Sequence, residues 1–105
     1  MSTDAVIVMT TVEAPSDIPR RLVDERLAAC VQEVPIASTY RWDGEVTRAT
    51  EVLVLIKTVA DRSEAVVRWL EENHPYDIPE IVVLADASAR GTYLGWLVGE
   101  TRPGG

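Results

Sequence analysis

The chain has 105 residues, 47% of them hydrophobic, one cysteine and a formal charge of −7. That is enough apolar matter for one domain spanning 1–105 with a core that needs no staples, and a lone cysteine excludes an internal disulfide framework. The acidic balance argues against nucleic acid and anionic membranes as partners, and no apolar run approaches the roughly 20 residues of a membrane span.

The opening residues, Met1-Ser2-Thr3-Asp4, lack the basic and apolar regions of a secretory signal, so the cytoplasm is the expected location. Ala5–Val12 is a β-rich, continuously apolar run and predicts a buried central strand. Glu13-Ala14-Pro15-Ser16 breaks it. Ser16 is a candidate N-cap for a helix with Pro19 in its first turn and Ile18, Leu22, Val23, Leu27 and Cys30 recurring at helical spacing.

Cys30 to Thr58 predicts a long β-hairpin turning at Asp43-Gly44, because a tight I′ turn needs positive φ at both central residues. Each arm is about twice the usual strand length and extends roughly 40 Å, so the hairpin overhangs a domain of this size. Pro35 cannot donate to a ladder, which predicts a bulge or bend near it. Asp61-Arg62-Ser63-Glu64 has capping-box spacing, and the helix it starts, with Val66, Val67, Leu70 and His74 on one face, must stop at Pro75. An extended link, 76–79, leads to a second apolar strand, 81–85. A short helix follows over 92–98, and the tail 101–105 reads as frayed.

The order β-α-β-β-α-β plus a short helix predicts an α+β, ferredoxin-like fold, with both main helices on one face of an antiparallel sheet. Val52, Val54 and Ile56 point to one face, Leu53 and Leu55 to the other, and both sets are apolar. A second face this apolar calls for cover from other subunits.

Five segments together resemble the CutA divalent-cation-tolerance family. They are Glu25-Arg26-Leu27-Ala28-Ala29-Cys30-Val31, Tyr40-Arg41-Trp42-Asp43-Gly44-Glu45, the run from Glu51 to Thr58, His74-Pro75-Tyr76-Asp77-Ile78-Pro79-Glu80-Ile81, and Tyr93-Leu94-Gly95-Trp96-Leu97. The resemblance implies a ferredoxin-like protomer assembled as a homotrimer, similar in architecture to the trimeric PII signalling proteins. It also implies an association with copper tolerance, copper or other divalent-ion binding and signal transduction, without an enzyme activity or an organic cofactor. In one copper-binding pattern of the family a cysteine ends the first strand and two histidines precede the proline. Thr10-Thr11-Val12 and Asn73-His74 stand there in this chain, which leaves His74.

Candidate metal ligands are therefore His74 and Cys30, each weighed against a structural role: His74 as a helix C-terminal residue, Cys30 as core packing. Candidate ligand-binding residues are Trp42, Lys57, Tyr76, Glu80 and Trp96, lining clefts between subunits. The aromatics serve equally as interface area, and Lys57 as a strand-end lysine reaching water. Counting back from a two-residue turn sets Cys30 opposite Lys57. Two other readings stand beside this one: an enzyme with Cys30 as nucleophile and His74 as base, and a trimer acting only through protein association.

Overall fold

The computed structural model describes residues 4–103. Ala5–Val12 forms β1, and its β-branched side chains are wanted on both faces because it lies inside the sheet. The sheet has four strands in the order β2 (Cys30–Trp42), β3 (Glu45–Val59), β1, β4 (Val82–Ala87), with every neighbouring pair antiparallel. Helices α1 (Ile18–Asp24) and α2 (Ala60–Asn73) cross between strands, and α3 (Gly91–Glu100) follows the last one.

The hairpin turn is of the expected kind, with Asp43 at φ 51° and Gly44 at φ 80°. β2 and β3 stay in register from Trp42 opposite Glu45 to Cys30 opposite Lys57. The bulge predicted at Pro35 is absent. β2 is an edge strand, and counting from the turn puts Pro35 where its nitrogen faces away from β3, so no ladder bond is lost. β1 pairs with β3 only from Val52 to Val59, so the seven residues Glu45–Glu51 run on beyond it with β2 alone. The molecule is accordingly elongated, 45 × 24 × 22 Å.

Two helix readings need correction. α1 ends at Asp24 instead of continuing towards Cys30. Arg26 takes a left-handed φ of 58°, and the amides of Leu27 and Arg26 bond back to the carbonyls of Leu22 and Val23, a Schellman closure made without glycine. Asp61 caps nothing. The N-cap of α2 is Val59, and the Asp61 carboxylate instead holds the Arg102 guanidinium through two 2.9 Å hydrogen bonds. The tail is correspondingly ordered at 101–102, against the frayed reading. Thr101 is fully buried, and its hydroxyl donates to the Leu97 carbonyl at 2.9 Å. Residues 104–105 lie outside the described ones. α2 does stop before Pro75, with His74 extended at ψ 138°.

Both α1 and α2 pack on one face. Ile18, Leu22, Val66, Trp69 and Leu70 meet Val6, Val8, Val12, Val54 and Ile56 there. α3 covers only one end of the other face, where Leu97 joins Ala5, Ala29 and Val59. The rest of that face stays partly open, and Val34, Val82 and Leu84 are each more than two-fifths exposed. β4, the second apolar strand, is an edge strand, which is why its valines and leucine are exposed. Completing the burial of each such side chain is worth about 1 kcal/mol. No helix among the described residues is long and apolar enough to cross a membrane.

Candidate functional site

β3 outruns β1 at Glu51, and the 74–81 segment crosses the sheet just there on its way from α2 to β4. The step so made, where the hairpin leaves the domain, is an open cleft of about 740 Å³. Its walls carry four carboxylates, Glu13, Glu51, Asp77 and Glu80, and no lysine, arginine or histidine. Trp42, near the hairpin tip and 55% exposed, and Tyr76 give it aromatic surface.

Glu51 is only 8% exposed, and the Tyr76 hydroxyl donates to its Oε2 at 3.0 Å. Burial first, then this hydrogen bond and the neighbouring Glu51 charge, push the Tyr76 pKa up to about 12. The phenol therefore stays protonated and donates throughout the neutral range.

His74 locks the crossing segment in place. Its Nε2 lies 2.8 Å from the Thr11 carbonyl, and its Nδ1 accepts the Tyr76 amide at 3.0 Å. A carbonyl only accepts, so Nε2 carries the proton and Nδ1 is spent on the amide. The ring also meets Tyr76 edge-on at 4.8 Å. Both nitrogens are thus engaged within the chain, so an ion on His74 would have to displace one of these bonds. Cys30 does not lie beside it in the same copy. Paired positions put the two about 13 Å apart along the strands and two strand spacings, about 10 Å, across. The same separation removes the nucleophile–base reading. Among the described residues no three His, Cys, Asp or Glu side chains converge to hold an ion within one copy.

Within one copy the residues grouped by sequence divide. Trp42, Tyr76 and Glu80 line the acidic cleft. Lys57 stands six residues beyond Glu51 on the same sheet face, about 20 Å away. It lines a separate hollow of about 210 Å³ beside α3, and its Nζ sits 5.9 Å from the Tyr93 ring centroid. Trp96 stacks on Tyr93 at 5.5 Å. Cys30 faces Lys57 across the ladder, and burial, then the Cys30 sulfur, push the Tyr93 hydroxyl pKa up. Glu51 was missed as a site residue, because it opens an apolar run and gives no local signal.

A four-stranded antiparallel sheet with two crossing helices on one face, a hairpin overhang and an acidic step at its base defines a split-βαβ protein of the α+β class. The chain belongs to the CutA family: the family model described as CutA1 divalent ion tolerance protein matches residues 5–100. It is 42% identical over 93 residues to the divalent-cation tolerance protein CutA of Thermus thermophilus, covering 88% of this chain and 90% of that one. It is 38% identical over 102 residues to the chloroplastic protein CutA of Arabidopsis thaliana, with 93% of this chain aligned but only 56% of the plant protein. The solved structure of CutA from Synechococcus elongatus is similar with a TM-score of 0.90 at 34% identity, over 95% of this chain and 92% of that one.

Proposed function

We propose that this CutA family member is a homotrimer that responds to divalent ions by holding a cation in the acidic cleft, whose second wall is a neighbouring copy. The observation that carries the reading is the lining itself: four carboxylates, one of them nearly buried, with no cationic side chain among them. Carboxylate and phenol oxygens suit a hard divalent ion better than copper(I), which prefers sulfur and nitrogen. Among the described residues one copy does not bring three ligands together, so the ion's shell needs donors from the next subunit. Association has its own support in the overhanging hairpin and in the apolar sheet face left open at Val34, Val82 and Leu84.

Calorimetric titration of the intact protein with Mn2+, Ca2+ and Cu2+ tests the ion. Saturable heat that disappears in a Glu51→Gln, Glu80→Gln double variant and persists in Cys30→Ala supports the cleft. Absence of heat with all three ions, from a preparation that light scattering shows to be trimeric, removes the ion and leaves a PII-like or purely structural trimer acting through association. That second reading draws on the same open sheet face.

A further inference from the structure

Lys57 is the only lysine in the chain; the other nine cationic side chains are arginines. Every ion pair among the described residues uses an arginine, and Lys57 has no carboxylate partner among them. It lies on the inner strand β3, half-buried, between Ile7 of β1 and Cys30 of β2. Its ammonium borders a hollow of about 210 Å³ whose other walls are apolar, chiefly Ala5, Ile7, Ala87, Ala89 and Leu97. The Tyr93 ring flanks the charge, and Ser88 adds one hydroxyl. α3 contributes Tyr93 and Leu97 to the hollow and carries no acidic residue in its first turn.

We propose that this hollow is a site for a small monocarboxylate with a short apolar tail, the carboxylate on Lys57 and the tail against the alanines and Leu97. A partly desolvated ammonium without a counter-charge gains most from an anion that brings its own apolar body, because a fully hydrated ion such as sulfate would have to shed water into the hollow. The alanines matter as much as the lysine. They leave room where larger side chains would have filled the gap between β1, β4 and α3. The site is separate from the acidic cleft and does not depend on the cation reading.

The single lysine supplies its own probe. Lysine-selective isotope labelling of the intact protein gives one side-chain NMR signal, followed at low ionic strength while sodium butyrate is added. The expected result is a saturable shift with half-saturation at about 1 mM. Butanol should give no shift, and sulfate should bind at least about tenfold more weakly. Ala89→Leu, which fills the hollow and keeps the charge, should weaken butyrate about tenfold. Lys57→Met, followed by calorimetry, should weaken it by a similar factor or more. The proposal is overturned by no saturable shift up to about 10 mM butyrate. Equal responses to sulfate and butyrate overturn it too, as does undiminished binding in Ala89→Leu. The first two readouts need no variant, so a variant that fails to fold does not shelter the proposal.

Discussion

Replacing Arg102 by alanine should cost more than any other substitution of an exposed-looking charge in the chain. The guanidinium meets Asp61 with both nitrogens at 2.9 Å, the geometry of a bidentate pair. The two side chains are 33% and 9% exposed, so the carboxylate, once abandoned, remains near the interior at the start of α2. Two charge-assisted hydrogen bonds and the stranded charge together suggest about 2 kcal/mol, the one-third exposure of Arg102 holding the figure below that of a fully buried pair. At about 4–8 °C per kcal/mol for a domain of this size, the melting point should fall by about 10 °C when both proteins are scanned at equal concentration. Arg102→Lys should recover less than half of this, since an ammonium cannot grip both oxygens. In a double-mutant cycle with Asp61→Ala the losses should overlap by about 1 kcal/mol. If Arg102→Ala denatures within about 0.3 kcal/mol of the wild type, the tail is loose in solution and the reasoning from Thr101 burial fails with it.

Other outcomes follow from single side chains. Thr10 is fully buried with its hydroxyl unpartnered, so Thr10→Val should raise stability by about 1 kcal/mol in urea titration; a loss would mean that the hydroxyl has a partner. His74→Leu should destabilise by about 2 kcal/mol in urea titration, because the Thr11 carbonyl and the Tyr76 amide lose their partners together. Tyr76 holds its proton in the folded state up to about pH 12, against about 10 when unfolded. Its contribution is therefore complete below pH 10 and is lost as pH rises towards 12, where the unfolded chain releases the proton first. Tyr76→Phe should flatten the fall of stability over that interval, and an unchanged slope would exclude Tyr76 as its source.

What was legible in the sequence was what neighbouring residues decide. Asp43-Gly44 sets its own turn, Pro75 stops α2, and the β-branched run Ala5–Val12 has no other use than a central strand. α1 was drawn too long because its end is a left-handed Arg26, where glycine is the residue that announces such a closure. The bulge assigned to Pro35 failed because an edge strand tolerates proline at every second position, and only the register says which. Asp61 was taken for a cap because its partner, Arg102, is 41 residues away. The site was divided in the same way. Trp42, Tyr76 and Glu80 share a cleft, but sequence spacing could not reveal that within one copy the fifteen-residue β3 holds Lys57 about 20 Å from Glu51 in the cleft wall.

Pro35 carries one more consequence. The outer rim of β2 offers its amides at alternate positions, and in the middle of that row the donor is missing. A stray strand trying to extend the sheet there would meet a carbonyl-only rung and lose its continuity, so growth into fibrils by endless strand addition is blocked on this side.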